Sequence, residues 1–247
     1  MAGIGKVLAI ALIAGSCTGI GALPIFLAHR ITHRIYDGMV ALAAGVMIGA
    51  SMFTLVIPAL NYGTLLEVSV GLAAGAGFLL LLDRQLDFHI DFDEELADYK
   101  KRAMLIGGSI TLHNIPEGLA IGIAFGSGLE GVGLALGLAI GVQNIPDGFA
   151  VAVPADRAGL PKLKNLALTT LSGAVPEPIA AVFGFALVQI FTQIFPLAAG
   201  FAASAMMAVV FKEMIPQSHG HGYQTLATAM FILGFIIMLV IDNTFTV

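Results

Sequence analysis

Charge is what this 247-residue chain has least of: Asp, Glu, Lys and Arg make up 11% of it, against 58% hydrophobic residues and a mean hydropathy of +0.95. A soluble domain averages about 25% charged residues, so the scarcity excludes an ordinary globular fold and points to a polytopic membrane protein. Cysteine is almost missing too. Cys17 alone excludes an intramolecular disulfide and, inside an apolar run, says nothing of compartment. The chain has neither a basic nucleic-acid footprint nor a nucleotide-binding loop, which argues against a primary pump. No cleavable leader is expected either, because the first apolar run is too long for a signal-peptide core. The net charge of −5 identifies no partner, since seven of the sixteen acids fall between Asp83 and Asp98.

What the chain has in abundance is apolar segments. Eight are legible, at 4–28, 38–60, 64–82, 103–126, 131–155, 163–190, 195–217 and 223–243. Lengths of roughly 20 residues predict membrane-spanning helices rather than barrel strands of about 10. The fold class expected is therefore an all-α membrane protein, one transmembrane domain covering residues 1–247, with 30 glycines interleaved for close helix packing. Arg30, Arg34, Arg84, Lys100, Lys101, Arg102, Arg157, Lys162 and Lys164 fall in the loops after segments 1, 3 and 5. By the positive-inside rule those loops are cytoplasmic and both termini lie outside. The acidic loop 84–102, with its lone His89, reads first as a solvated connector and second as a cation-collecting loop.

One polar pattern is written twice inside these spans: His113-Asn114-Ile115-Pro116-Glu117-Gly118 and Gln143-Asn144-Ile145-Pro146-Asp147-Gly148. On a helix, residues four apart lie about 40° apart, so each copy presents a nitrogen donor, an Asn and a carboxylate within an arc of about 100°. An ionisable group at the centre of a membrane helix costs roughly 3 kcal/mol or more. Beside each carboxylate stands a proline: Pro116, Pro146, Pro176 and Pro178 around Glu177, and Pro216 after Glu213. Proline in a helix frees the carbonyl four residues earlier, here those of Leu112, Val142, Ser172 and Ala174. Freed carbonyls at membrane depth must face protein or a wet cavity. Carboxylates with kinks on three consecutive helices predict a hydrated cavity that neutralises its charge with a cation or with protons. Lys212 is the one basic residue available within the spans. Oxygen ligands alone suit Mg²⁺ or Ca²⁺; an imidazole beside them shifts the choice toward Zn²⁺, Fe²⁺ or Mn²⁺. A lone buried His is more often a core residue than a ligand, Met47 is by default packing, and His219 and His221 read most simply as loop residues.

These motifs, HNxPEG on the fourth span, QNxPDG on the fifth and Pro-Glu-Pro on the sixth, resemble those of the ZIP (Zrt-/Irt-like) divalent-metal transporters, in particular the prokaryotic GufA-type branch. The resemblance extends over nearly the whole chain. It implies eight helices arranged 3+2+3 with extracellular termini, and a binuclear metal centre on helices 4, 5 and 6. Carried over by motif, one metal site would comprise His113, Glu117, Gln143 and Asp147, with Met47 as a further ligand. A second would comprise Asn114, Asn144 and Glu177, with Glu117 and Asp147 bridging. Asp37, Thr54, Lys212 and Glu213 would line the transport route.

Three positions depart from the family pattern: Gln143 where many members have His, Asn144 where relatives can carry a carboxylate, and Lys212 where related chains have a His beside the acid. Glu117, Asp147 and Glu177 sum to −3, so one divalent ion leaves −1 and two leave +1, which predicts a strong first site and a weaker second one. The function expected is uptake of a divalent transition metal into the cytoplasm across the cell membrane, a prokaryotic inner membrane. Zn²⁺ is the foremost candidate, as transported substrate with a structural ion as a further role, ahead of Fe²⁺, Mn²⁺ or Cd²⁺. No organic cofactor and no nucleic-acid partner are expected; the partners are divalent ions, the lipid bilayer and, as a candidate assembly, a second copy of the chain. The alternative is an intramembrane metalloenzyme, but zinc hydrolases of that kind use His-Glu-x-x-His, and this helix has one His and no such Glu.

Overall fold

Long apolar runs separated by short polar turns give a bundle made of helices. The computed structural model describes residues 3–27, 31–89, 114–157, 159–190 and 192–246, with the side chains of 82–89, 192 and 246 excepted. In chain order the helices are α1 (Ile4–Leu27), α2 (His33–Tyr62), α3 (Leu65–His89), α4 (114–126), α5 (Glu130–Arg157), α6 (Lys162–Ile190), α7 (Phe195–His219) and α8 (Gln224–Thr246). No strand occurs among the described residues. Six of these helices, all but α3 and α4, are long and apolar enough to cross a bilayer, and α3 contributes the apolar stretch Leu65–Leu81. The start of the span expected at 103–126 lies outside the described residues, as does the loop 84–102 beyond His89.

Proline punctuates the helices. α1 turns at Leu23 before Pro24, and α6 is interrupted at Val175 between Ala174 and Pro176. α2 and α7 bend in a matched way. Each widens into a π-helical turn, Ser51–Val56 and Val210–Met214, immediately ahead of an Ile-Pro pair. The ring of Pro58 or Pro216 has no N–H for the carbonyl four residues back, so the turn before it relaxes to bonds spanning five residues. The Ile57 N–H reaches Met52 O, and the Ile215 N–H reaches Val210 O. Both bulges share one spelling, Phe-x-x-x-Ile-Pro, at 53–58 and 211–216.

Lipid offers little hydrophobic drive for helix association, so close backbone approach must supply it. A Cβ added to Gly148 would overlap the backbone of Thr18, one on Gly15 the backbone of Gly173, and one on Gly122 that of Ala181. These contacts join α1, α4, α5 and α6. Likewise Gly45 meets the backbone of Phe231, Gly71 that of Leu197 and Gly234 that of Leu42, joining α2 with α8 and α3 with α7. Among the described residues no glycine makes such an approach between the two sets. The sets meet instead along α5, which packs against α2 and α8. Large apolar side chains such as Ile13, Leu27, Leu66, Ile179, Phe183 and Ile190 are exposed, as a lipid-facing surface requires.

The register of these contacts makes α1 parallel to α5, α4 to α6, α2 to α8 and α3 to α7. One end of the bundle therefore gathers the basic residues Arg34, Arg157, Lys162 and Lys164. The opposite end gathers the turns near residues 63, 128 and 193. There, where both sets contribute, a cavity of about 410 Å³ is lined by Tyr62, Glu67, Ser127, Leu129, Gln193, Phe195 and Pro196.

Candidate metal centre

The polar residues of α4, α5 and α6 meet inside the first set. Glu117 (1% exposed), Gln143, Asn144 and Glu177 (each 0%) are fully enclosed. The Gln143 amide donates to Glu117 Oε1 at 2.5 Å. The Asn144 amide donates both to Glu177 Oε1 at 2.7 Å and to the carbonyl of Ala14 on α1 at 2.9 Å. A carboxylate can only accept, so these pairings fix which end of each amide faces which way. The amide nitrogens are thereby turned onto the acids and the amide oxygens are left over. Four oxygens, Glu117 Oε2, Gln143 Oε1, Asn144 Oδ1 and Glu177 Oε2, are buried with no hydrogen-bond partner among the described residues. Buried polar atoms are normally satisfied, so four such acceptors in one constellation call for a further partner, and the two carboxylates among them favour a cation or a proton over water alone. The donor set of carboxylate and amide oxygens fits a divalent cation.

Asp147 is partly buried on α5 and lies within Coulombic range of both Glu117 and Glu177. Three carboxylates so close cannot remain ionised in a poorly screening medium without compensation. Asn114, at the start of described α4, donates its amide to the Ser172 carbonyl at 2.8 Å. That is a carbonyl freed by Pro176; the protein meets it with an amide rather than leaving it to line a wet cavity.

The remaining candidates that are described sit on α2 and α7. Met47 is buried in the apolar core of α2. Thr54 is enclosed in the α2 bulge and bonds back to Ala50 O at 2.6 Å. Lys212, exposed, and Glu213, half-buried, occupy the α7 bulge. Asp37 is fully buried near the basic end of α2, where His221 Nδ1 sits 2.7 Å from its Oδ1 while Oδ2 is unpartnered. His113 lies outside the described residues.

The alignments decide the family. The ZIP Zinc transporter family model matches residues 83–242. "Zinc transporter GufA" of Myxococcus xanthus is 34% identical over 251 positions, covering 97% of this chain and 98% of the relative. "Zinc transporter ZIPB" of Bordetella bronchiseptica is 35% identical, with 92% and 77% covered, and human "Zinc transporter ZIP11" 30%, with 91% and 93% covered. The chain belongs to the ZIP family. It is a multi-pass membrane protein and a metal transporter, in keeping with relatives named as transporters and not as enzymes.

Several contacts of this ZIP protein are not legible in its motifs. His219 falls inside the end of α7 rather than beyond it, whereas His221 is in the loop that follows, as expected, and makes contacts there. His219 closes the last turn of α7 through Ile215 O at 3.1 Å. His221 binds Asp37 and stacks on His33 with ring centroids 4.1 Å apart. The contribution of α1 came through a carbonyl, that of Ala14, which no side-chain pattern announces. The two bulges did have a signal, the repeated Phe-x-x-x-Ile-Pro spelling.

Proposed function

We propose that this ZIP protein carries Zn²⁺, or a similar divalent ion such as Fe²⁺, Mn²⁺ or Cd²⁺, into the cytoplasm through a binuclear site shared by α4, α5 and α6. The chain acts as one transmembrane domain in the cell membrane, its eight helices grouped 3+2+3 with both termini outside. The matched bulges of α2 and α7, at equivalent places in the first and last triplets, support that grouping. The nine basic residues of the loops after helices 1, 3 and 5 support the orientation.

The observation that carries the reading is the set of four orphaned buried oxygens around Glu117 and Glu177. His113, Glu117, Gln143, Asp147 and Met47 form the first site; Asn114, Asn144 and Glu177, with the bridging acids, form the weaker second one. A cation entering this centre replaces amide N–H donors as the compensating charge. Neutral amides in place of further carboxylates keep the ion from being held too tightly to leave. Alternating exposure follows from movement of one helix set against the other along α5. The names of the relatives favour Zn²⁺ over the other ions.

The test is uptake of Zn²⁺, Fe²⁺, Mn²⁺ and Cd²⁺ into proteoliposomes of purified protein. Saturable Zn²⁺ uptake is expected. Folded protein that binds and moves none of these ions would end the proposal.

A further inference from the structure

The two helix sets are held together differently at the two ends of their seam. At the end away from the basic residues they leave the 410 Å³ cavity. At the basic end a buried side chain bridges them. Tyr36 of α2 (8% exposed) places its hydroxyl 3.3 Å from the Ala150 carbonyl of α5 and 3.2 Å from Gln217 Oε1 of α7. Ala150 O is available because Pro154, four residues on inside α5, has no N–H to bond it. A phenol has one proton. With that proton donated to Ala150 O, the Gln217 amide turns its N–H to the phenol oxygen, and one hydroxyl then joins three helices. The Tyr36 ring also leans on Phe149, 6.4 Å between centroids, and Arg157 at the end of α5 donates to Ile31 O at 2.8 Å.

We propose that Tyr36 is a positioning residue for transport: its hydroxyl, docked on the carbonyl that Pro154 frees, latches α5 to α2 at the basic end while the seam is open at the other. The inference rests on the transport reading above, because α5 carries Gln143, Asn144 and Asp147. When α5 moves relative to α2, this hydrogen bond must break. The latch uses a proline-made acceptor, so breaking it leaves no helix-ladder bond undone within α5. It can re-form each cycle without unwinding the helix.

The test compares wild type, Tyr36→Phe, Pro154→Ala and the double variant. Pro154→Ala restores the N–H that satisfies Ala150 O within α5, weakening the latch without touching Tyr36. Each is assayed for Zn²⁺ affinity in detergent, maximal Zn²⁺ uptake rate in proteoliposomes, and amide exchange over residues 149–157. A single net hydrogen bond corresponds to about a two- to tenfold change in an equilibrium or rate. The expected result is that each single variant raises the maximal rate about two- to tenfold with Zn²⁺ affinity unchanged. The amides of 149–157 should exchange faster in Tyr36→Phe, and the double variant should go no further than the singles. An unchanged or slower rate in folded, Zn²⁺-binding Tyr36→Phe overturns the latch, as does a double variant whose effect is the product of the two. If wild type itself moves no Zn²⁺, the transport reading fails instead. The latch then stands or falls on exchange at 149–157, which needs no transport.

Discussion

The two helix sets differ in the polar groups they bury at mid-helix: mainly hydroxyls in α2 and α7, amides and carboxylates in α4, α5 and α6. In α2 and α7 the buried Ser and Thr hydroxyls return to their own backbone, Ser51 to Met47 O, Thr54 to Ala50 O, Ser204 to Phe201 O and Ser218 to Ile215 O, and the Tyr36 phenol alone among these hydroxyls crosses between helices. In α4, α5 and α6 the buried amides cross between helices: Asn114 to Ser172 O, Gln143 to Glu117, Asn144 to Ala14 O and Glu177, and Asn165 to Ala152 O. A hydroxyl satisfied inside its own helix leaves that helix free to shift against its neighbours. A cross-helix amide fixes register, because sliding by one turn would strand a buried donor. Glycine packing joins α1, α4, α5 and α6 to one another, and in the other set pairs α2 with α8 and α3 with α7. In the first set buried amides also key one helix to the next around Glu117, Asp147 and Glu177, whereas the second set's cross-helix bonds from Tyr36 and Asp37 lie at the basic end.

Variants can break or sharpen that contrast. The largest effect should come from Glu117→Gln, which keeps an acceptor for Gln143 yet removes a charge from the centre. Zn²⁺ affinity should fall by about a hundredfold or more, the cost of a charge-assisted ligand being roughly 3 kcal/mol, while the protein stays folded. Calorimetric titration checks this, and wild-type affinity would remove Glu117 from the site.

Asn144→Asp comes next. It is nearly isosteric, but it deletes both amide donors and sets a carboxylate against Glu177. The metal-free protein should lose about 1–3 kcal/mol of stability. Zn²⁺ should restore it and raise the bound stoichiometry toward two, because a fourth carboxylate makes the doubly loaded centre neutral. Thermal melts with and without Zn²⁺, together with elemental analysis, decide. No loss in the metal-free state would mean that the cross-helix amide is not what keys the set.

A pH titration probes the ligand that neither set displays here, His113. An imidazole must be neutral to ligate, and its ordinary pKa is about 6.5. Below that value affinity should weaken about tenfold per pH unit; affinity that is flat from about pH 7.5 to 5.5 would make His113 a structural residue. The smallest effect belongs to the other set. Thr54→Val removes a hydroxyl bonded only within α2, so stability should shift by less than about 1 kcal/mol with Zn²⁺ affinity unchanged. A loss as large as that of Asn144→Asp would erase the distinction between the sets.

Composition determined the class of this protein, since a chain so poor in charge and so rich in apolar runs of about 20 residues has no stable alternative to spanning a bilayer with helices. Spacing determined which residues share a helix face, because 3.6 residues per turn is local geometry. Glu117 of α4 and the Gln143, Asn144 and Asp147 group of α5 could thus be singled out without coordinates. Proline told where carbonyls would be freed. It could not tell what would meet them: Asn114 for Ser172, Tyr36 for Ala150. Nor could spacing divide the polar face of α5, giving Gln143 to α4 and Asn144 to α6 and α1. The pairing of the loop residue His221 with Asp37 was not legible, because the two are 184 positions apart. Tertiary structure alone decided these pairings. A side chain's helix face follows from its neighbours in sequence, whereas its partner across an interface depends on the register of a different helix, set here by where glycines let two backbones touch.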